Sequence, residues 1–233
     1  MKCVYCGNMA ETREHAPSRV FLKGPYPSDL PTVPSCVKCN NGFSNDELYV
    51  AVLLDLLKRH YLHDSIMDKK ALKRLEKKEG KKAQEAFETH LSQPAYVFND
   101  IRIKRVLQKL AICHATHELS EGYFGSSWES DLRKITYNLL PYMTQDEYDD
   151  IDAIEPLTLF PELGSIGYSR IMIAETFLSF DGGAPQRISI PFTTWHDVQD
   201  GSYRYLAFLD DSKIIVKIII GEFLFTEIHF DMK

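Results

Sequence analysis

The spacing of hydrophobic and polar positions changes along the first part of the chain. Residues 7–35 contain five prolines and few apolar runs, a composition typical of turns and short strands. Residues 48–62 are strongly apolar and predict a helix, which a capping box from Ser44 to Glu47 would open. Residues 66–92 place lysines at helical spacing and predict a charged helical stretch. We therefore expect an irregular N-terminal segment followed by helices.

The second part of the chain changes from helical to strand periodicity. Residues 101–118 predict an amphipathic helix, residues 129–140 a second helix, and residues 144–152 a short acidic helix. From residue 166 onward, alternating and β-branched positions between Gly and Asp turns predict strands. These strands are expected at about 171–180, 187–192, 203–209, 213–220 and 223–230. Helices followed by a mainly antiparallel sheet define an α+β fold.

We divide the chain into three parts on this basis. Residues 1–62 form a small module with its packing helix, and residues 63–94 form a charged helical connector. Residues 95–233 form an α+β domain whose role the sequence leaves open, with helices at about 101–152 and strands at about 166–230. This organisation predicts that any chemistry encoded by short motifs lies in the first part.

No segment has the length of a membrane span. The most apolar stretches, residues 48–57 and 214–220, are shorter than the ~20 residues that cross a bilayer. Met1, Lys2 and Cys3 lead directly into polar sequence, without the pattern of a secretory signal. We therefore expect a cytoplasmic protein with no membrane partner.

Charge is distributed unevenly along the chain, whose net charge is -6. Residues 1–94 contain 15 Lys and Arg against 12 Asp and Glu, whereas residues 95–233 contain 12 against 21. A basic front half is the asymmetry expected when a polyanion binds at one end. The lysines between residues 69 and 82 are interpreted either as a solvated helix face or as phosphate contacts. The sequence alone leaves both interpretations open.

Four of the five cysteines form two C-x-x-C pairs, Cys3 with Cys6 and Cys36 with Cys39. Reducing conditions in the cytosol disfavour disulfides, and two such pairs suit four thiolates on one tetrahedral zinc ion. Zinc would then supply the folding free energy that the proline-rich segment between the pairs cannot obtain from a core. Cys113 stands alone in an apolar run and is predicted to be a buried small hydrophobic residue.

Further residues with catalytic chemistry lie close to these pairs. Glu14, His15 and Pro17 lie between the two pairs, and Asn40 follows the second pair directly. This order resembles the HNH, or ββα-metal, endonuclease family. In its zinc-bearing members an acidic residue, a His and a nearby Pro stand between two C-x-x-C pairs, and His or Asn follows the second. The resemblance covers about residues 3–50 and implies a ββα-metal module bound to zinc.

The resemblance implies a role for each of these residues. His15 would be the general base that takes a proton from the attacking water. Glu14 and Asn40 would bind one catalytic divalent cation, Mg²⁺ or Mn²⁺, through oxygen. Zinc at the four cysteines would be structural, because a site closed by four protein ligands has no open position for water.

The sequence differs from the family's pattern at two positions. The Asn that usually stands before the second pair has no counterpart in residues 30–35, and Glu14 replaces the commoner Asp. Neither difference removes a catalytic atom type. Cationic residues around the predicted site are candidate phosphate contacts or simply exposed side chains: Arg13, Arg19 and Lys38.

Two functions are compatible with these observations. The first is a metal-dependent endonuclease that hydrolyses phosphodiester bonds of nucleic acid, DNA rather than RNA. Family analogy adds restriction or anti-phage defence beside a partner ATPase or sensor protein. The alternative is a non-catalytic zinc module that binds nucleic acid or protein. The combination of Glu14, His15 and Asn40 discriminates between them, because a pure binding module does not need it.

Overall fold

The computed structural model describes residues 1–63, 69–92, 100–119, 132–153, 155–179 and 183–232. The chain begins with an antiparallel hairpin of two strands, β1 (Thr12–His15) and β2 (Thr32–Ser35). A 3₁₀ turn, Arg19–Phe21, lies in the loop between them. Helix α1 (Val37–Leu62) follows β2 almost directly. The first part of the chain therefore has the order strand, strand, helix.

Three further helices follow α1. They are α2 (Lys69–Leu75), α3 (Lys78–Ser92) and α4 (Ile101–Leu119). The predicted charged stretch at residues 66–92 is confirmed as helical from residue 69 onward, and residues 66–68 lie outside the described residues. Helix α4 is buried on all sides from residue 106 to residue 116, so it is a central helix rather than an amphipathic surface helix.

The remaining elements are mainly strands. In chain order they are β3 (Leu132–Leu139), α5 (Gln145–Asp152), β4 (Glu155–Pro156), α6 (Ile166–Ser169), β5 (Met172–Leu178), β6 (Gln186–Thr193), β7 (His196–Gln199), β8 (Tyr203–Asp210), β9 (Lys213–Ile220) and β10 (Leu224–Asp231). A five-stranded antiparallel sheet has the order β3-β10-β9-β8-β7, and a three-stranded antiparallel sheet has the order β4-β6-β5. The predicted α+β class with its antiparallel sheet is confirmed.

Strand β9 is apolar along most of its length and lacks the polar alternation of a half-exposed strand. One face of β9, including Val216 and Ile218, joins the large core that α1 and α4 cover. The opposite face belongs to smaller clusters, with Ile215 packed beside Leu157 and Ile219 beside Ile151 of α5. A strand that is covered on both faces needs no polar alternation.

The predicted helix at residues 129–140 is wrong. Residues 132–139 form strand β3, and residues 129–131 lie outside the described residues. The spacing of Leu132, Ile135 and Leu139 fits a helix, but β10 provides a continuous row of backbone partners, for example Ile228 opposite Ile135. Tertiary pairing therefore outweighs the local periodicity.

The predicted capping box at Ser44 and Glu47 is also wrong. Helix α1 begins at Val37, seven residues before Ser44, because Cys36 is its N-cap. The Cys36 Sγ atom accepts a hydrogen bond from the Cys39 backbone amide at 3.4 Å. The second C-x-x-C pair is thus part of the helix N-terminus, and Glu47 is an interior residue of the helix.

The other predicted elements agree with the structure within a few residues. The short acidic helix α5 begins with a capping box between Thr144 and Glu147. The five predicted strands correspond to β5, β6, β8, β9 and β10, whereas the short strands β4 and β7 were not predicted. The turn expected at residues 180–182 lies outside the described residues. Among the helices that the structure describes, none combines the length and the apolar character of a bilayer span.

A cysteine tetrad beside a buried charge cluster

The four cysteines of the two C-x-x-C pairs lie together at the ββα end of the molecule. Their Sγ atoms all lie within 4.8 Å of one another, and Cys6 Sγ is 3.8 Å from Cys36 Sγ. Zn–S bonds of ~2.3 Å in a tetrahedral site require S–S separations of ~3.8 Å. The cysteine tetrad, Cys3, Cys6, Cys36 and Cys39, fits a metal ion such as zinc, as the spacing of the pairs predicted.

Backbone geometry holds the first pair in place. Gly7 has a φ of 72°, a left-handed conformation that suits glycine, and its amide donates to the Cys3 carbonyl at 2.9 Å. The Val4 amide donates to the Pro34 carbonyl of β2 at 3.1 Å. This turn is therefore attached to the hairpin, which brings the first pair to the N-terminus of α1.

The pKa values of the tetrad thiols are shifted in opposite directions. Burial alone would raise the pKa of the Cys3 thiol, but backbone hydrogen bonds, above all from Cys36, outweigh it and lower the pKa to about 7. Burial and the neighbouring thiols raise the pKa of Cys39. Four thiolates cannot be formed at this spacing without a compensating cation, so metal binding and thiol ionisation are coupled.

Strand β1 presents the predicted catalytic residues on alternate faces. Glu14 points inward and is buried, His15 is half-buried, and Arg13 is exposed. The Arg13 guanidinium donates to the side chain and the carbonyl of Thr32 at 2.7 and 2.9 Å. Thr32 is the residue of β2 directly opposite His15. Arg13 thus connects the two strands of the hairpin through its side chain.

A buried lysine of α4 approaches Glu14 from the other side. The fully buried Lys109 Nζ atom lies 2.6 Å from Glu14 Oε1 and 2.5 Å from Glu47 Oε1, and it also donates to Ser18 Oγ. Ser18 in turn donates to Glu47 Oε1 at 2.5 Å. We call Lys109, Glu14, Glu47 and Ser18 the buried charge cluster. Its three acceptors match the three donors of an ammonium group.

The buried charge cluster shifts several pKa values. Burial raises the pKa of Glu14, and Lys109 offsets part of this rise. Burial lowers the pKa of Lys109, but Cys113, Glu47 and Glu14 outweigh it, and the net shift is upward. The pKa of Cys113 is itself raised to about 12, mainly by burial, so Cys113 is a neutral thiol at pH 7. The two carboxylates are therefore the charges that hold the ammonium in place.

His15 and Asn40 are the other two predicted catalytic residues. Burial, Arg19 and Lys109 lower the pKa of His15, which keeps its imidazole neutral at pH 7. Its Nδ1 atom is buried and has no hydrogen-bond partner among the described residues. Asn40, in the first turn of α1, donates from Nδ2 to Thr12 Oγ1 at 3.1 Å.

The two carboxylate oxygens of Glu14 have different surroundings. Oε1 accepts from Lys109, whereas Oε2 is buried with no hydrogen-bond partner among the described residues, although the nearby Tyr5 hydroxyl lowers the Glu14 pKa. Tyr5 itself lies 2.7 Å from Cys113 Sγ. An unpartnered carboxylate oxygen is a suitable ligand for a hard cation. Among the described residues, however, the cysteine tetrad is the one group of three or more cysteine, histidine or carboxylate ligands that could hold a metal ion, so Glu14 is a single candidate ligand for a second cation.

The three predicted phosphate contacts occupy different environments. Arg13 braces the hairpin, Arg19 lies over the Tyr26 ring at 5.4 Å, and Lys38 is exposed in the first turn of α1. Arg19 is close enough to His15 to lower its pKa. The structure thus groups Arg19 with the catalytic candidates, while Arg13 already has protein partners.

Sequence reasoning missed Lys109 and the inward role of Glu47. A single lysine in the apolar run of residues 106–116 is a signal that was available, because a lysine buried in a helix needs an anionic partner. The identity of its partners was not available, since Glu14 lies 95 residues away along the chain.

Comparisons with protein-family models, with curated proteins and with solved structures found no match to this chain. Its own residues and the motif resemblance are therefore the basis for inferring its function. What these establish directly is an α+β chain with a cysteine tetrad that can hold a metal ion.

Proposed function

We propose that this protein is a metal-dependent endonuclease of the HNH type. The supporting observation is the hydrogen bond between Asn40 of α1 and Thr12 of β1. Thr12 and Glu14 are two residues apart on the strand and share a face, so Asn40 approaches the face that bears Glu14. His15 is the next residue of the same strand. The supporting geometry is thus that Asn40 lies against the face of β1 that bears Glu14, and that His15 is adjacent to Glu14 in the chain.

The protein residues divide the chemistry among themselves. His15 accepts the proton of the attacking water, since burial and nearby cations lower its pKa and keep the imidazole neutral at pH 7. Glu14 Oε2 and the Asn40 amide oxygen would hold Mg²⁺ or Mn²⁺. When bound, such a cation stabilises charge on the phosphate and the leaving oxygen. Lys109 orients the Glu14 carboxylate through Oε1.

Zinc at the tetrad has a structural role in this proposal. Four protein thiolates leave no position for water or substrate, so this ion takes no part in hydrolysis. It connects the first turn of α1 to the segment before β1 and thereby positions Asn40, which directly follows Cys39. Participation in restriction or anti-phage defence, with a partner ATPase or sensor protein in the cytoplasm, rests on family analogy alone.

One observation favours the alternative, a non-catalytic zinc module that binds nucleic acid or protein. The Lys109 ammonium lies 2.6 Å from Glu14 and repels a second cation at the same carboxylate. In that case Lys109 replaces the catalytic metal as the partner of Glu14, and the site binds without cleaving.

A plasmid-nicking titration against Mn²⁺ separates the two functions. We expect His15→Ala to reduce nicking by about 10² to 10⁴-fold, because a general base contributes that much to the rate. The matched control is His60→Ala, which removes an exposed imidazole of α1. Glu14→Gln should need a higher Mn²⁺ concentration, since it weakens a metal ligand.

The nuclease proposal is overturned if purified wild-type protein with a full complement of zinc leaves plasmid intact at every Mn²⁺ and Mg²⁺ concentration. Equal nicking by wild type and His15→Ala would likewise transfer the activity to a contaminant or to another site.

A further inference from the structure

A basic cleft adjoins the candidate site. Its volume is about 600 Å³, and it lies between the 3₁₀ turn, α1, and helices α2 and α3. Five cationic side chains line it: Arg19, Lys70, Arg74, Lys77 and Lys78. We call this the basic cleft. The sequence predicted phosphate contacts or a solvated face for these lysines, and the fold now divides them into those that line a cavity and those that do not.

The acidic residues of the basic cleft are already neutralised by other cations. The Glu47 carboxylate forms an ion pair with Lys109 of the buried charge cluster. The Glu79 carboxylate pairs with the guanidinium of Arg102, and Lys82 Nζ lies 3.1 Å from Glu79 Oε1. Hydrogen bonds from Arg102 lower the pKa of Glu79, which keeps it ionised and paired. Among the residues that line the cleft, positive charge therefore exceeds negative charge.

The cations of the cleft differ in their protein partners and in their exposure. Arg74 donates to the Val20 carbonyl at 2.9 Å and lies 3.9 Å from Asp55, and Lys70 donates to the Tyr26 hydroxyl. Lys77 and Lys78 are exposed at the rim between α2 and α3. Cations with protein partners together with exposed lysines suit a chain of phosphates better than one small anion.

The basic cleft leads towards the proposed catalytic residues. Arg19 lines the cleft and stands four residues after His15 along the chain. Glu47 lines the cleft and shares Lys109 with Glu14. A phosphodiester backbone that enters between α2 and α3 would thus pass Arg19 on its way to His15.

We propose that the basic cleft binds the phosphodiester backbone of a nucleic-acid strand and guides it to the candidate site. The direction of the strand rests on the proposed function, whereas binding itself does not. Four of the five cations that line the cleft belong to α2, to α3 or to the turn between them, so substrate binding extends beyond the ββα end of the molecule.

The test compares two sets of lysines from α2, α3 and the short turn between them. Lys70, Lys77 and Lys78 are replaced by Gln in the cleft variant, and Lys69, Lys73 and Lys81 in the control variant. The control lysines do not line the cleft. Both variants lose the same charge from the region of α2 and α3. Binding of a labelled oligonucleotide, single-stranded and duplex, is measured by fluorescence anisotropy against salt concentration, without added Mg²⁺ or Mn²⁺.

We expect the cleft variant to bind at least tenfold more weakly at moderate salt. Its plot of log affinity against log salt should be shallower by about 0.7 to 0.9 for each lysine that no longer neutralises a phosphate. The control variant should keep a slope close to that of the wild type. Circular dichroism and zinc content should be the same in all three proteins, which shows that weaker binding does not reflect unfolding.

Two outcomes would overturn this inference. Equal weakening by both variants would mean that general charge, and not the cleft, attracts the nucleic acid. Unchanged binding in the cleft variant would place the binding surface elsewhere. Binding that depends on the cleft, together with an absence of cleavage, would defeat the nuclease proposal and leave the cleft intact.

Discussion

The ββα end (residues 1–47) and the five-stranded sheet share one apolar core, but the ββα end adds a candidate metal site and buried charges to it. The ββα end contains the cysteine tetrad and the inward carboxylates of Glu14 and Glu47, which share one buried ammonium group. The sheet is filled by hydrocarbon, with Ile214 and Ile218 fully buried on the face towards α4. Two kinds of stabilisation therefore meet on one central helix, whose Lys109 serves the first and whose leucines serve the second.

This difference predicts how the stability of each region responds when one interaction is removed. Apolar burial contributes about 1.5 to 3 kcal/mol per large side chain and depends on no single partner. Buried ions cost free energy to desolvate and become favourable only when every partner is present. The ββα end should therefore fail abruptly when one component is removed, whereas the sheet should lose stability in increments.

The largest expected effect follows removal of metal from the cysteine tetrad. Metal binding to a structural zinc site is worth about 10 kcal/mol or more, as much as the whole stability of a typical domain. Addition of a chelator should abolish hydrogen-exchange protection of backbone amides in residues 1–47, while β8, β9 and β10 keep theirs. Hydrogen exchange read by mass spectrometry measures both regions in one experiment.

Cys113 offers the matched control for the metal prediction. It is a buried cysteine outside the tetrad, so Cys113→Ser should retain the metal content of the wild type, whereas Cys36→Ser should lose it. Full protection of residues 1–47 in metal-free protein would show that the ββα end does not depend on the tetrad.

The next largest effect should come from Lys109→Met. The substitution leaves the Glu14 and Glu47 carboxylates buried without their cation, which typically costs about 3 to 5 kcal/mol. Urea unfolding measures the loss. The triple variant with Glu14→Gln and Glu47→Gln should recover much of it, because no unpaired charge remains. A single variant as stable as the wild type would contradict the assignment of Lys109 as the cation that stabilises the buried charge cluster.

A core substitution in β9 should have a smaller and more local effect. Ile218→Ala removes buried methyl groups from the face towards α4 and should lower the free energy of unfolding by about 2 to 5 kcal/mol. Ile218→Val should cost about 0.5 to 1.5 kcal/mol. Metal content should stay unchanged in both. Loss of metal from Ile218→Ala would show that the two regions unfold as one unit.

The smallest effect concerns the dependence of stability on pH at the junction of the regions. Burial, Arg170, His196 and Arg13 lower the pKa of His117 to about 4. Between the unfolded pKa of 6.5 and about pH 4, the unfolded state binds the additional proton, so acidification through this window destabilises the fold. The slope from one group is at most about 1.4 kcal/mol per pH unit, and less here because the side chain is partly solvated.

His117→Gln tests this dependence. The variant should lose less stability than the wild type between pH 6.5 and 4, measured by urea unfolding at several pH values. Other groups titrate in both proteins and cancel in the comparison. Parallel stability curves would mean that the ionisation of His117 is not linked to folding.

Local patterns predicted a large part of the fold. The strands β8, β9 and β10 were identified from β-branched runs between turns, and α5 from its acidic helical pattern. The cysteine tetrad was identified from spacing alone, because a C-x-x-C turn positions two thiols whatever the rest of the chain does. The roles of Glu14, His15 and Asn40 remain predictions from the motif.

The sequence by itself determined which groups are available: four thiols in two turns, a Glu-His step on an extended segment, and apolar runs long enough for strands. Only the tertiary structure decided which distant groups meet. Strand β3 depends on β10 for its hydrogen bonds, Lys109 on carboxylates of β1 and α1, and the basic cleft on the approach of α2 and α3 to Arg19. The physical reason is that periodicity and chelation act over a few residues, whereas pairing of backbones and of buried charges depends on partners far away along the chain.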